Sequence, residues 1–238
     1  MHKDNILNNL KKEDKLVFTV KEAATWTNLN GSALSNLLKS LMKQGYINSI
    51  KKGMYYFKGA LINDIFAVAS NIIDPSYIAT ESVFERFGLS NIIPKIVRVI
   101  AIKQHKQIKM ADGTKIIFIK FKKYRFFGYN KSRWISISSL EKAFIDSLYL
   151  GEFPFFTNLV DYHKKLKDFG YALDYEKLVD YTLRMKSKTL VNKVGFFLDF
   201  IGEEIYSKKL LKYLYKKHMI NIDRSGQSSF NNKKWMIK

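Results

Sequence analysis

The side chains with the clearest chemistry lie on one predicted helix that begins after Asn30. One face of this helix carries hydroxyls, an amide and lysines, and it has no acidic residue. Its members are Ser32, Ser35, Asn36, Lys39, Ser40 and Lys43. A solvated helix face usually mixes charges of both signs, whereas this set suits contact with phosphates and base edges. The face therefore indicates a helix that lies against nucleic acid.

The opposite face of the same helix is apolar, which predicts that the helix packs on a core. Apolar residues recur there at i, i+3, i+4, i+7 and i+8. They are Leu34, Leu37, Leu38, Leu41 and Met42. The Asn30-Gly31-Ser32 sequence supplies a turn and an N-cap oxygen, and the N–H groups at the helix start point toward any anion that lies there. Asn30 therefore joins the predicted contact set.

Two further elements are needed to position this helix. A shorter helix starts near Val20, where Thr19 and Glu22 have the spacing of a capping box. After the second helix, two short strands flank a Lys51-Lys52-Gly53 turn, in which the glycine permits a positive φ. Lysines at such a tip reach a flanking phosphate or minor groove. The two helices and the two strands together predict a winged helix-turn-helix. The alternative is an amphipathic helical hairpin at a domain edge.

The chain is strongly basic. Its 238 residues include 41 Lys+Arg against 21 Asp+Glu, which gives a formal net charge of +20. A charge of this size favours a nucleic-acid partner, with an anionic membrane surface as the weaker alternative. AT-rich coding explains why lysine outnumbers arginine, but it does not explain the excess of basic over acidic residues.

Composition also excludes several classes of protein. Hydrophobic residues make up 47% of the chain, so a sizeable core is expected. Cysteine is absent, which excludes a disulfide framework, a thiolate nucleophile and a cysteine zinc site. The chain has neither an apolar signal core at its start nor an apolar run long enough to span a bilayer. We expect a cytoplasmic protein that has no membrane partner.

The rest of the chain predicts an α+β fold with two domains. Residues 1–58 form the N-terminal winged helix-turn-helix, Lys58-Gly59 marks the boundary, and residues 59–238 form a mixed domain. In this mixed domain a small, mostly antiparallel sheet precedes a helical C-terminal part. The predicted strands of the mixed domain cover residues 77–79, 96–102, 108–110, 116–121 and 124–127. Its predicted helices cover residues 62–73, 80–87, 139–150 with Ser138 as N-cap, 158–167, 175–186, 190–201 and 203–217.

A second candidate surface lies where basic and aromatic residues alternate, between residues 120 and 134. On a strand, Lys120, Lys122 and Tyr124 share one face, and Arg125 lies on the other. This arrangement is compatible with an RNA-binding module that stacks bases on its sheet. The favoured interpretation is a sheet whose aromatics belong to the core and whose lysines are solvated, because the residue types do not separate cleanly between the faces.

Patterns typical of catalysis are weak. The chain has neither a glycine-rich phosphate loop nor a nucleophile elbow, and its histidines lack metal-ligand spacing. Two acid pairs, Glu81 with Glu85 and Asp146 with Asp161, are the candidates for a nucleic-acid-processing enzyme with a DNA-binding head. Solvated or capping roles are favoured for these carboxylates. We therefore expect no enzyme activity, no metal and no cofactor.

Three stretches, in the same order, resemble the AbiEi-type antitoxins, which are predicted transcriptional regulators of type IV toxin–antitoxin and viral-defence loci. Residues 51–56 are similar to the family's basic-basic-Gly-x-Tyr wing. Residues 77–89, followed by Pro94, resemble its segment of Tyr-Ile, small residues, helix, aromatic-Gly-Leu and proline. Residues 137–149 are similar to its Glu-Lys-Ala helix, in which an aspartate follows two hydrophobic residues. The chain departs from the family at Ser138-Ser139, where Asp-Pro is usual, and in its wing, where arginines are commoner than lysines.

The resemblance implies a repressor that binds inverted repeats of double-stranded DNA in its own promoter through the winged domain. The C-terminal domain would antagonise a nucleotidyltransferase toxin without forming a stable complex with it. The residues that would read or flank bases are Asn30, Ser32, Ser35, Asn36 and Lys39. Lys51 and Lys52 would hold phosphate.

Overall fold

The computed structural model describes residues 2–58, 64–90, 95–224, 226 and 230–238. Within them the chain is a mixed α+β protein with two sheets. The helices are α1 (His2–Lys12), α2 (Val20–Thr27), α3 (Gly31–Lys43), α4 (Ile65–Ser70), α5 (Glu81–Arg86), α6 (Leu140–Leu150), α7 (Phe156–Asp168), α8 (Tyr175–Arg184), α9 (Lys188–Phe200) and α10 (Glu204–Lys208). The strands are β1 (Val17–Thr19), β2 (Ile47–Lys51), β3 (Met54–Phe57), β4 (Ser76–Ile78), β5 (Ile96–Ala101), β6 (Ile108–Lys109), β7 (Lys115–Lys120), β8 (Tyr129–Lys131) and β9 (Ser136–Ser138). No helix in this part of the chain is long and apolar enough to cross a membrane.

The two sheets differ in topology. The first is antiparallel, with the strand order β1-β3-β2. The second has the order β6-β7-β5-β4-β9-β8. Its β5–β7 pairing is parallel over six residue pairs, whereas β4 with β5 and β6 with β7 are antiparallel. Two of these three pairings are antiparallel, in line with the predicted mostly antiparallel sheet, and the parallel pairing arises because the chain returns beside β5 through a crossover that contains β6.

Contacts divide the chain into two compact units. The first contains residues 1–78, 95–120 and 131–136, and the second contains residues 79–94, 121–130 and 137–238. The predicted boundary at Lys58-Gly59 stays a prediction, since Gly59 lies outside the described residues, as does Pro94.

The N-terminal part of the first unit is built on one hydrophobic cluster. α1 contributes Ile6 and Leu10, and β1 contributes Phe18. The residues that α3 buries in the cluster are Leu34, Leu38 and Leu41. Leu37 and Met42 are partly buried against it, so the predicted apolar stripe is confirmed. Complete burial of each leucine contributes about 2 kcal/mol relative to exposure, which attaches α3 firmly by this face.

The remainder of the first unit packs α4 against β4 and β5. Asp64 caps α4 by accepting from the N–H of Phe66 at 2.9 Å. The helix predicted over residues 62–73 ends early, at Ser70, and its residues 62 and 63 lie outside the described part of the chain. It ends because the side chain of Asn71 donates to the carbonyl of Trp134 at 2.6 Å, which holds the following residues in an irregular path.

Helices α6 and α9 form the interior of the second unit and are almost wholly buried. The C-terminal tail packs on α9 at Gly195, where an added Cβ would lie 2.0 Å from a ring carbon of Trp235. Trp235 and Ile237 are fully buried, and Asn192 donates to the carbonyl of Trp235 at 2.9 Å. Trp235 and Ile237 therefore anchor the tail in the interior of the second unit.

The strand predicted over residues 124–127 is wrong. Lys123–Arg125 is a 3₁₀ turn, and the guanidinium of Arg125 donates from Nε to the carbonyl of Met185 at 2.8 Å. The chain then passes Gly128 at φ 72°, where an added Cβ would lie 2.9 Å from Tyr181. A bond to a residue 60 positions away therefore outweighs the local β preference of this aromatic segment.

The helix predicted over residues 203–217 is also wrong beyond α10, and Leu211–Tyr213 is a 3₁₀ turn. The side-chain amide of Asn192 accepts from Tyr215 N at 2.9 Å and donates to Tyr215 O at 2.8 Å. This two-way pairing uses the backbone groups that a longer helix would need.

The predicted N-cap of α6 is one residue early, because Ser138 ends β9 and Ser139 accepts from Lys142 N at 3.3 Å.

A lysine–aspartate pair lies inside the second unit. Lys142 and Asp146 are four residues apart on α6, both side chains are fully buried, and Lys142 Nζ donates to Asp146 Oδ1. The ammonium lies 4.9 Å from the ring centre of Phe127 and 5.2 Å from that of Phe121. Burial lowers the pKa of Lys142, and the charge of Asp146 opposes that shift. Lys142 Nζ also lies 3.8 Å from Met185 Sδ, and the charges of Arg184 and Arg125 lower the pKa of Lys142 further.

We predict that Lys142→Ala lowers the free energy of unfolding by about 3–5 kcal/mol, because it removes the ammonium that pairs with the buried Asp146 carboxylate. Lys142→Met combined with Asp146→Leu should recover most of that loss, since an apolar pair of similar volume removes both charges. Equilibrium urea denaturation measures each value. Glu176→Ala is the control, because its pair with Lys209 is exposed and contributes less than about 1 kcal/mol. Equal stability of Lys142→Ala and wild type would contradict the prediction.

Candidate nucleic-acid interface

Helix α3 presents its polar face to solvent. The exposed side chains of this face are Ser32, Ser35, Asn36, Lys39, Ser40 and Lys43. The 13 residues of α3 span about 20 Å at 1.5 Å per residue, a length that can follow a nucleic-acid groove. The structure therefore brings all the predicted contact residues of this helix onto one exposed, acid-free surface.

The chain turns sharply before α3. Asn28 ends α2 in the left-handed region at φ 56°, and Gly31 has φ 53°. Asn30 is the N-cap of α3, but its side chain makes no capping hydrogen bond, and Ser32 lies inside the helix. The predicted N-cap oxygen is therefore wrong. Asn30 is exposed at the start of α3, beside the first-turn N–H groups that have no intrahelical partner.

Strands β2 and β3 form a hairpin whose tip carries the two predicted lysines. Lys51 ends β2, and Lys52 and Gly53 make the turn, with φ 80° at Gly53. Both lysine side chains are exposed. The hairpin is supported on one side by a third strand, because β3 lies between β2 and β1 and pairs with both. Lys51 and Lys52 thus lie at one exposed tip of a three-stranded sheet.

One neighbour of that tip was not predicted from the sequence. Lys51 Nζ lies 3.4 Å from Nε2 of His105, in the loop between β5 and β6. His105 Nδ1 lies 2.6 Å from the carbonyl oxygen of Lys106, which can only accept, so Nδ1 is the donor in that contact and Nε2 faces the lysine. The ring also meets Phe118 edge-on at 4.7 Å. His105 therefore orients Lys51 without neutralising its charge.

The loop that carries His105 adds further positive charge to the first unit. Lys103 and Lys106 are exposed on it, and Lys109 is exposed on the strand that follows. The basic run around His105 was a visible signal in the sequence. It carried no indication of its position, because the contact joins residues that are 54 positions apart.

The chain from residue 23 to residue 58 has no Asp or Glu and five lysines. Carboxylates that precede it are engaged within the first unit. Glu13 and Glu22 both pair with Lys15. Asp14 accepts from Arg133 at 2.8 Å. The lysines of α3 and of the hairpin therefore have no carboxylate within their own segment to offset them.

The predicted capping box at the start of α2 is confirmed. Glu22 Oε2 accepts from Thr19 N at 2.7 Å, and Thr19 Oγ1 accepts from Glu22 N at 3.3 Å. Burial raises the pKa of Glu22, but its hydrogen bonds with Lys15 and Thr19 outweigh burial, so this pKa lies below its usual value. The box fixes the start of α2, whose Ala23 packs in the same cluster as α3.

The second candidate surface does not have the predicted form. Lys120 is exposed at the end of β7 in the first unit, whereas Lys122 and Tyr124 are exposed in the second. Arg125 is half-buried, and its guanidinium donates to the carbonyls of Met185 and Lys186 at 2.8 and 3.3 Å. The aromatics that this segment buries are Phe121 and Phe127. For these two rings, the interpretation that aromatics belong to the core is confirmed.

Two of the four carboxylates considered for catalysis, Asp146 and Glu81, have local structural partners. Asp146 is held by Lys142 in the buried pair, whereas Asp161 is exposed. Glu81 is buried and accepts from the hydroxyl of Thr80. Across the described ranges, no group of three or more His, Asp or Glu side chains is placed to hold a metal ion.

Comparison with known proteins shows the fold and nothing finer. No family model matches the chain, and no curated protein matches it. The chain is similar to a solved structure, the RV2827C protein from Mycobacterium tuberculosis, with a TM-score of 0.62 and 13% sequence identity. The similarity covers 99% of this chain and 90% of that one. The mixed α+β architecture is therefore shared over nearly the whole length.

We predict that Glu22→Gln removes an acid-sensitive part of the stability. Because the pKa of Glu22 is lowered in the folded chain, ionised Glu22 stabilises the fold above its unfolded value of 4.5, and this contribution is lost as the pH falls through the lower folded value. At neutral pH the variant should be less stable by about 1 kcal/mol, a modest loss because the carboxylate is only partly buried and solvent screens it. Urea denaturation across a pH series measures the difference.

Glu204→Gln is the matched control for this series, because Glu204 is exposed on α10. The difference between wild type and Glu22→Gln should shrink as the pH falls below 4.5 and vanish once the pH lies well below the lowered pKa of folded Glu22. A difference that stays constant over the whole series would contradict the assignment.

Proposed function

We propose that this protein is a DNA-binding transcriptional regulator. The observation that carries the proposal is the exposed face of α3, which offers hydroxyls, an amide and lysines and has no carboxylate. Nucleic-acid grooves present phosphates and base edges, and both are met by these donor groups. In this proposal α3 is the recognition helix and lies in the major groove of double-stranded DNA.

The order of elements in residues 1–58 supports a winged helix-turn-helix. α2 and α3 are joined by a three-residue turn, and the antiparallel β2–β3 hairpin follows directly. The hairpin is the wing, and Lys51 and Lys52 contact phosphate from its tip. Asn36 and the serines reach base edges, and Lys39 and Lys43 contact the flanking backbone. Asn30, at the start of α3, lies where a helix N-terminus approaches a phosphate.

We further propose that the regulator is an autoregulating antitoxin of the AbiEi type, which represses its own promoter at inverted repeats. The support is the ordered resemblance of three stretches. The third of these contains Lys142 and Asp146, whose buried pairing gives a physical reason for a lysine and an aspartate four residues apart in that helix. The second unit then antagonises a nucleotidyltransferase toxin without forming a stable complex with it.

The first test addresses phosphate contact. We predict that Lys39→Ala, Lys51→Ala and Lys52→Ala together weaken binding to the chain's own upstream DNA at least about tenfold. The slope of log affinity against log salt should become shallower by about 2.7, since each lost phosphate contact removes about 0.9. Fluorescence anisotropy over a salt series measures both quantities.

The matched control replaces three other exposed lysines, Lys11, Lys12 and Lys208, so that the net charge changes equally. These residues lie at the end of α1 and on α10. If both triple variants weaken DNA binding to the same extent, net charge rather than this surface explains the affinity, and the interface is misassigned.

The second test separates base recognition from phosphate contact. We predict that Asn36→Ala reduces the preference for the operator over unrelated duplex by about 1–3 kcal/mol, because an amide side chain discriminates adenine by paired hydrogen bonds. The salt slope should stay unchanged, since Asn36 carries no charge. Competition binding with operator and random duplex measures the preference, and an altered slope with unaltered preference would show that Asn36 does not read bases.

The third test separates the two proposed activities. We predict that the triple lysine variant Lys39→Ala, Lys51→Ala and Lys52→Ala loses repression of its promoter but still rescues growth when the nucleotidyltransferase toxin proposed as its target is induced. The expectation follows because the three changes lie in the first unit, outside the proposed antitoxin region. A promoter fusion and a growth assay give the two readouts. Loss of rescue together with repression would contradict independent functions.

A further inference from the structure

A second basic surface lies in the second unit. A cavity of about 650 Å³ opens between the α8–α9 turn and residues 212–217. Its lining includes five exposed lysines and no acidic residue. The five are Lys186, Lys188, Lys212, Lys216 and Lys217. Like charges gathered in this way repel one another unless an anion lies among them.

Both walls of the cavity are held in place by hydrogen bonds. Arg125 donates to the carbonyls of Met185 and Lys186, which fixes the turn before α9. On the other wall, the fully buried Asn192 pairs with both backbone groups of Tyr215. The lysines therefore extend from a supported frame, which lowers the entropy cost of bringing them together around a ligand.

The start of α9 lies in the same cavity. Ser187 is its N-cap and accepts from Leu190 N at 3.4 Å, and both Ser187 and Lys188 line the cavity. The first turn of a 13-residue helix has N–H groups without intrahelical partners and carries partial positive charge. The helix start and the five lysines together match a ligand that carries several negative charges.

Another part of the lining is apolar. It includes Leu183, Val191 and Leu214, together with the ring of Tyr213, which is 44% exposed. Lys212 Nζ lies 5.1 Å from the centre of that ring. An exposed aromatic ring beside aliphatic side chains suits a flat heterocycle, which can stack there while charged groups reach the lysines.

We propose that this cavity binds a nucleoside polyphosphate. Its volume is typical of small-molecule sites and exceeds what a lone phosphate occupies. The lysines and the start of α9 hold the phosphate chain, and Tyr213 stacks on the base. This site lies within the second unit and does not depend on DNA binding by α3, so the two proposals fail or stand separately.

The test titrates the full-length protein with ATP and GTP by isothermal titration calorimetry. At least one of the two should bind with a stoichiometry of one. Adenosine and guanosine, which lack phosphate, should bind at least about tenfold more weakly, because they leave the lysines without an anion. Inorganic tripolyphosphate should also bind more weakly than the nucleotide, since it leaves the apolar wall empty.

Variants then locate the site. Lys188→Ala combined with Lys212→Ala should weaken nucleotide binding at least about tenfold, because two of the five cations are lost. The control pair, Lys164→Ala with Lys208→Ala, removes the same charge from exposed positions outside the cavity lining and should leave affinity unchanged. Tyr213→Ala should lower the affinity for the nucleotide to that for tripolyphosphate, and it should leave the affinity for tripolyphosphate unchanged.

Three results would overturn the proposal. The first is the absence of binding by both nucleotides. The second is equal weakening by the cavity and control pairs, which would show diffuse charge attraction. The third is tripolyphosphate, or a single-stranded oligonucleotide, binding at the cavity lysines more tightly than either mononucleotide.

Discussion

The excess of basic over acidic side chains is the main physical constraint on this chain. It has 41 Lys and Arg side chains but 21 Asp and Glu side chains. Many of the carboxylates stabilise local structure. Asp64 and Asp174 cap helices, Glu22 completes a capping box, and Glu141 pairs with Lys177 at 2.8 Å. A carboxylate that caps a helix or pairs with a nearby lysine does not offset positive charge elsewhere on the surface. Positive charge therefore accumulates on the parts of the surface where the fold requires no carboxylate. The face of α3, the adjoining hairpin and the lysine-lined cavity are places of this kind.

The buried pair of Lys142 and Asp146 is an exception that shows how strongly the second unit is organised around one cation. An isolated ammonium in such an interior is unstable, and its attraction to a carboxylate only partly repays the loss of water. The aromatic rings of Phe121 and Phe127 supply further favourable electrostatic contact through their faces. Gly128 completes the environment, since an added Cβ would lie 3.1 Å from the Lys142 side chain. The segment with alternating lysines and aromatics is therefore shaped by a lysine that lies outside it.

Local features of this chain were readable from sequence, and features that depend on distant partners were not. The capping box of Thr19 and Glu22 and the apolar stripe of α3 arise from spacings of three and four residues, so they were predicted correctly. The parallel β5–β7 pairing depends on which strands meet, which residue patterns in a short window do not encode. In the candidate interface, the exposed face of α3 followed from helical periodicity. The contact of Lys51 with His105 did not, because it is set by the packing of the β2–β3 hairpin against the loop between β5 and β6.

The shortage of carboxylates also explains how this protein positions its cations. His105 Nε2 lies 3.4 Å from Lys51, and backbone carbonyls accept from Lys165 at 2.9 Å and from Lys193 at 2.6 Å. A neutral acceptor orients a cation without cancelling its charge, whereas a carboxylate would do both. Burial lowers the pKa of Lys193 to about 8, a shift that the nearby charge of Asp223 opposes. The tip that carries Lys51 is exposed, and its own segment, residues 23–58, has no carboxylate. Positioning by neutral groups is thus what allows an ordered surface to remain attractive to a polyanion.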